Sequence, residues 1–273
     1  MAKILMVGCG DIGAAVGKRL VDQGHQVCAL QRTVREGLPG IKTVNADLTQ
    51  ADQLSSLSFD YEQLVYIVSP STYDIDGYKA VFETAVNNLL VVLTQKAADL
   101  AITFVSSTRV YGQRAGEWLN EESLTDPDDE RGQIILAAEE RFLAFNQQST
   151  VVRFSGIYGR SNHLLKQLSE GAKIQQKPSY FTNRIHRDDC IAVLDYLVNK
   201  KIKEGLSHRV YLATDSNPVS KWDLASYLCN KFDFPAPVPM MFEMGADANK
   251  RLDNERIKRE GYRFKFSTYQ QGY

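Results

Sequence analysis

No two cysteines in this 273-residue chain are close enough to form a C-x-x-C unit: Cys9, Cys28, Cys190 and Cys229 lie far apart. That spacing argues against a disulfide framework and for a reducing, cytoplasmic setting, in which a buried thiol behaves as a small hydrophobe. The histidines, His25, His163, His186 and His208, are equally scattered, so no metal site is expected. Charge of one sign is missing as well. With 32 Lys and Arg against 33 Asp and Glu, the net charge of −1 excludes the basic field needed for nonspecific nucleic-acid or anionic-membrane binding. No uncharged apolar run is long enough to span a bilayer, and Asp11 with three glycines interrupts what would have to be the apolar region of a signal peptide. Internal repeats and low-complexity segments are absent too. What remains, with 44% hydrophobic residues, is a globular chain able to bury one large core or two smaller ones, with neither nucleic acid nor membrane as partner.

What is present begins at residue 3. Lys-Ile-Leu-Met-Val at 3–7 is a short apolar run leading into Gly8-Cys9-Gly10-Asp11-Ile12-Gly13, which reads as strand, glycine turn and helix. Gly8 would make the tight turn, Gly10 would admit a pyrophosphate, and Gly13 would let the helix pack on the strand, with the N–H groups around Asp11 and Ile12 aimed at the anion. Val16, Leu20 and Val21 continue a helical face, and 26–30 supplies a second strand. A bound dinucleotide is the expected consequence. The second strand ends in Gln31-Arg32-Thr33, with no carboxylate before Glu36. An acidic residue there would bond ribose hydroxyls, whereas Arg32 suits a 2′-phosphate, so NADP is expected, with NAD as the alternative.

The rest alternates strands and helices, which predicts an α/β Rossmann fold, a doubly wound parallel sheet with helices on both faces. Strands are expected at 42–45, 63–68, 101–106, 150–154 and 209–213, and helices at 77–100, 134–145, 162–171, 188–199 and 220–232, with an acidic loop over 117–131. Asp47, at a strand's carboxyl end beside Leu48, would either meet the adenine amino group or cap a helix beginning near Gln50. Ser69 and Ser106 close further apolar strands at the same end of the sheet. Beyond Arg160 the pattern loosens, which suggests a small C-terminal substrate lobe. The core is expected over 1–160 and 182–217, and the lobe over 161–181 and 218–273, without an independent linker.

Four stretches in order resemble the extended, NAD-dependent epimerase/dehydratase branch of the short-chain dehydrogenase/reductase superfamily. Ser-Ser-Thr-Arg-Val-Tyr-Gly at 106–112 is similar to the family's active-site serine segment, and Val-Arg-Phe-Ser-Gly-Ile-Tyr-Gly-Arg at 152–160 to the segment closing over the nicotinamide. Arg-Ile-His-Arg-Asp-Asp at 184–189 resembles the loop beside the substrate, and 250–257 with Gly261-Tyr262 the C-terminal signature. The resemblance implies that Ser107 bonds a substrate oxygen, that Gly8, Gly10, Gly13, Arg32, Asp47 and Leu48 take cofactor positions, and that Ser155, Gly156 and Ile157 approach the nicotinamide. It also implies a homodimer through the helices at 77–100 and 134–145.

The resemblance breaks at the family's Tyr-x-x-x-Lys pair. Aligning the glutamate that follows that lysine with Glu139 places Arg131 at the tyrosine and Ile135 at the lysine. No tyrosine occurs between Tyr111 and Tyr158 and no lysine between Lys96 and Lys166. A proton donor needs a pKa that can approach the working pH, which an arginine above about 12 lacks. Arg131 is left to stabilise charge, and Tyr111, Tyr73, His163 or His186 to donate the proton. The nucleotide-sugar arginine expected four residues before the histidine is Thr182 here, while Arg114, Trp118 and Arg184 suit a smaller anion or carbonyl compound. Two functions follow: an NADP-dependent oxidoreductase or epimerase acting on a small polar carbonyl or sugar-like compound with a nonstandard acid, or a catalytically silent NADP(H) sensor.

Overall fold

The computed structural model describes residues 1–33, 38–241 and 249–273; Glu36 lies outside them. The chain divides into two compact units, one of Met1–Val110, Pro127–Arg153 and Ile191–Tyr211, the other of Tyr111–Asp126, Phe154–Cys190 and Leu212–Tyr273.

In the first unit the order is β1 (Lys3–Val7), α1 (Asp11–Asp22), β2 (Gln26–Gln31), β3 (Lys42–Asn45), α2 (Ala51–Ser55), β4 (Gln63–Tyr66), α3 (Ile75–Lys79), a π-helical turn (Ala80–Thr84), α4 (Ala85–Lys96) and β5 (Ala101–Ser107). After β6 (Glu117–Leu119), which belongs to the second unit, come α5 (Glu130–Phe145) and β7 (Thr150–Phe154). With β12 (Val210–Ala213), whose first half is in this unit, the strands form a seven-stranded sheet ordered β12-β7-β5-β4-β1-β2-β3. β1 pairs in parallel with both β2 and β4, so the order reverses beside β1, where open α/β sheets bind ligands. Central strands buried on both faces need continuous apolar runs: Ile4–Val7 are buried, as is all of β4. α1 buries Ile12, Val16 and Leu20 along one stripe. Beside β5 the core is aromatic, with Phe104 and Phe142 stacked at 4.7 Å and the Tyr66 hydroxyl donating to the Val81 carbonyl at 2.6 Å. Burial of each such ring stabilises the fold by about 1.5–3 kcal/mol.

The helices differ from expectation at their ends. The predicted 77–100 helix starts at Ile75, where the Asp74 carboxylate takes the Gly77 N–H, passes through the π turn and stops at Lys96. The helix predicted from Ile134 begins at Glu130, capped by Asp129 on the Gly132 N–H at 3.1 Å. Apolar periodicity shows only from Ile134, so the polar first turn hides in the acidic loop. Gly132 has a steric reason: a Cβ there would lie 2.6 Å from Pro127 and 2.9 Å from the Arg109 carbonyl.

The second unit is built from β6 and short later elements: β8 (Gly156–Tyr158), α6 (His163–Ser169), β9 (Lys173–Lys177), β10 (Phe181–Thr182) and β11 (Arg184–His186). α7 (Arg187–Lys203) starts in this unit and continues into the first. β13 (Val219–Ser220), α8 (Lys221–Phe232), β14 (Val238–Met241), β15 (Lys250–Leu252), α9 (Glu255–Arg259) and α10 (Tyr269–Gly272) complete it. Its strands pair two by two: β8 with β11, β9 with β14, β10 with β13 and β6 with β15. Leu168, Val219, Leu224, Leu228 and Tyr269 make its core. The fully buried Asp189 carboxylate accepts the Tyr262 hydroxyl at 2.7 Å and the N–H groups of Lys265 and Phe266, fixing the segment before α10. Residues 111–126, 154–160, 182–190 and 212–217, which the sequence groups with the core, fall in this unit. The loops leaving the strand ends pair with one another there, a long-range effect that local periodicity does not record.

Candidate functional site

At the β1 turn the three glycines have separable reasons. Gly8 has φ +92°, and a Cβ on it would sit 2.3 Å from the Ile67 carbonyl oxygen; one on Gly13 would sit 2.4 Å from the Gly8 carbonyl oxygen. Both are demanded by the fold. Gly10 meets no atom within 4 Å, so the protein's own packing does not require a glycine there. It caps α1 without a side-chain bond, so the helix start, with its positive dipole end, carries no side-chain cap. A cavity of about 180 Å³ is lined by Gly8, Arg32, Asp47, Leu48 and Ser69, with Gln31 among its other walls. The Gln31 amide nitrogen is buried without a hydrogen-bond partner, a donor facing a cavity. These residues fit a dinucleotide. Asp47 does not cap α2: its carboxylate takes the Thr49 N–H at 2.9 Å and hydroxyl at 2.8 Å in a local turn, and the α2 cap position, Gln50, makes no side-chain bond.

Ser107, half-buried at the end of β5, accepts the Arg109 N–H at 3.2 Å, which leaves its own O–H proton to donate elsewhere. Ser106 points the other way and bonds Glu139, itself held by Arg153 at 2.6–3.1 Å in a buried network. Ser106 is thereby tied into the protein interior. Arg131 lies in the first turn of α5 with its guanidinium 5.6 Å from the centre of the Tyr78 ring. Ile135 is buried. Tyr111 is buried and its hydroxyl donates to the Asn120 carbonyl at 2.8 Å, so its proton is already committed. Tyr73 and His163 are exposed.

In the second unit Arg184 lines a cavity of about 390 Å³ together with Lys173, Lys221, Gln175 and Thr182, and among the described residues no carboxylate lines it. The Arg184 Nη1 donates to the Tyr273 hydroxyl at 2.9 Å, and its Nε is buried with no partner. Asp215 is fully buried beside it, and burial pushes its carboxyl up to about 7, against the opposing pulls of the Asn217 N–H and Arg184. His186 does not line this cavity. Its Nδ1 accepts the Asp188 N–H at 3.1 Å and so caps α7, its ring packs on Phe266, and burial pushes the imidazole down toward the neutral form. Arg114 is exposed. In the nicotinamide segment the Ser155 hydroxyl is buried without a partner, while Gly156 and Ile157 are exposed.

Sequence reasoning missed Tyr78, Lys173, Lys221 and Tyr273. Each lies in a stretch with no motif, and nothing local signals a partner on another element. Among the described residues no cluster suited to a metal ion occurs, and no helix is long and apolar enough to cross a membrane.

The family described as RmlD substrate binding domain matches residues 2–270. A protein from Methylobacillus flagellatus, provisionally described as an NAD-dependent epimerase/dehydratase, has a solved structure 33% identical to this chain, covering 99% of it and 96% of its own length at a TM-score of 0.82. A conserved protein of unknown function from Silicibacter pomeroyi is 24% identical, with 100% and 96% covered and a TM-score of 0.76. The dTDP-glucose 4,6-dehydratase of Bacillus anthracis, solved with NAD, is 16% identical, with 100% and 94% covered and a TM-score of 0.79, a likeness of fold. Comparison with curated proteins finds no match. The glycine turn, the strand order reversing at it and the match along nearly the whole chain place this protein in the NAD(P)-binding epimerase/dehydratase family of extended short-chain dehydrogenases/reductases.

Proposed function

We propose that the protein is an NADP-dependent oxidoreductase or epimerase acting on an anionic, sugar-like alcohol or carbonyl compound, with an acid other than the family tyrosine. The observation that carries this reading is the Gly10 position: a glycine that the protein's own packing does not require, in a turn whose neighbouring cavity is lined by Arg32 and, among the described residues, by no carboxylate but Asp47. Gly8, Gly10 and Gly13, with the N–H groups of Asp11 and Ile12, hold the pyrophosphate, Arg32 the 2′-phosphate, and Asp47 and Leu48 the adenosine end. Bound nicotinamide supplies or accepts hydride. Ser107 holds the substrate oxygen with its free O–H proton. The three cations around the second cavity, Lys173, Arg184 and Lys221, make that cavity an anion site.

The proton donor in this reading is Tyr78. Its ring carries the Arg131 guanidinium over it, 5.6 Å from the ring centre, so a phenol and a fixed positive charge lie near one another. A screen of phosphorylated sugar-like carbonyl compounds by NADPH absorbance tests the proposal. Once a substrate is found, Ser107→Ala should lower kcat about 100- to 1,000-fold, the scale of one lost donor at a developing oxyanion, with cofactor affinity unchanged. Tyr78→Phe should lower kcat with cofactor affinity unchanged. Unchanged turnover in Ser107→Ala contradicts the role given to Ser107. The buried Ile135 at the lysine position favours the second reading, an NADP(H) sensor, which a full screen without NADPH oxidation supports. A homodimer through α4 and α5, and a cytoplasmic location, belong to either reading.

A further inference from the structure

Arg184 is a half-buried cation whose Nε is buried. Its backbone carbonyl is fixed by the Asp215 N–H at 2.6 Å and the Thr214 hydroxyl at 3.2 Å. Among the described residues no salt bridge reaches the guanidinium, and its Nε has no partner. Burial pushes the carboxyl of the neighbouring Asp215 up to about 7, while the Arg184 charge pulls it down. What fixes the head group is Tyr273. The ring stacks on Tyr158 with centroids 4.6 Å apart and planes 14° from parallel, and the hydroxyl takes one Arg184 N–H at 2.9 Å, with the guanidinium 5.9 Å from the ring centre. Burial pushes the Tyr273 phenol up, which keeps it neutral. A neutral acceptor engages one of five N–H donors and cancels none of the charge, so the remaining donors stay available to the cavity. A carboxylate in its place would have neutralised the cation.

We propose that Tyr273 is a positioning residue that holds Arg184 preorganised, still fully charged, for a diphosphate or similarly polyanionic group in the cavity shared with Lys173 and Lys221. This rests on the reading of that cavity as the anionic substrate site. Tyr158 has a matching part, since its stack on Tyr273 sets the height of the hydroxyl.

The test is calorimetric titration of UDP into the NADP-saturated protein. Wild type, Arg184→Met, Tyr273→Phe and the double variant are compared, with the melting temperature of each as a control on folding. Tyr273→Phe keeps the stack and removes the hydroxyl. It should weaken UDP 3- to 10-fold without lowering the melting temperature, and should cost nothing further in the Arg184→Met background, a coupling that a merely structural role does not produce. If wild type binds UDP through Arg184 while Tyr273→Phe binds equally well, or if the two losses add, the positioning role is overturned. If wild type fails to bind, or Arg184→Met binds as wild type does, the reading of the cavity itself is overturned and the positioning role with it.

Discussion

Asp215 carries the clearest pH signature in the molecule. One carboxylate oxygen accepts the Asn217 N–H at 3.1 Å, while the other is buried without a partner. Burial raises the carboxyl from 3.8 to about 7, so the native state retains a proton that the unfolded chain releases. Its contribution to stability is therefore complete below about pH 4 and is lost as pH rises toward 7. Asp215→Asn keeps the Asn217 bond and removes the titration. The variant should match wild type near pH 4 and exceed it at pH 8 by up to about 4 kcal/mol in urea unfolding. A constant difference across that range would show that Asp215 is ionised throughout. At this scale the sequence is legible only where chain geometry dictates the residue. Gly8 and Gly13 announce themselves because backbone lies within 2.5 Å of a would-be Cβ, whereas an aspartate in a strand-end loop looks like any surface acid until folding buries it.

Among the elements, α5 is held in place by a buried polar network. Its register against β5 and β7 is held by Glu139, buried at 1% exposure, which takes Ser106 and both arms of Arg153. Glu139→Ala strands a buried guanidinium and should destabilise the protein by about 3–5 kcal/mol. Glu139→Leu combined with Arg153→Met should recover most of that loss in the same unfolding assay; no recovery would mean that the network stabilises α5 by more than pairing. Most elements were legible as types from apolar periodicity, since β1, β4 and α1 bury the residues that the pattern marks. Their ends were not. α3 and α5 begin in polar turns capped by Asp74 and Asp129, and the pairing of β9 with β14 depends on residues some sixty positions apart along the chain. The Arg131 and Tyr78 pairing is invisible for the same reason, because it joins two helices with no shared motif.

For the whole molecule, the sequence pointed to the Rossmann architecture and the family, because the glycine turn and the strand and helix alternation are local signals with a single common outcome. It did not locate the second cavity, whose lysines come from the ends of β9 and α8. In the function proposed above, the first unit binds NADP at a glycine that the fold does not need. The direct measurement is calorimetric titration of wild type, Gly10→Val and Arg32→Ala with NADP, NADPH, NAD and NADH. Wild type should prefer the NADP forms. Gly10→Val should fold normally, its added side chain entering open space, and bind none of the four. Arg32→Ala should lose about 1.5–3 kcal/mol for NADP and little for NAD. Undiminished binding by Gly10→Val, or no binding by wild type, would contradict the account.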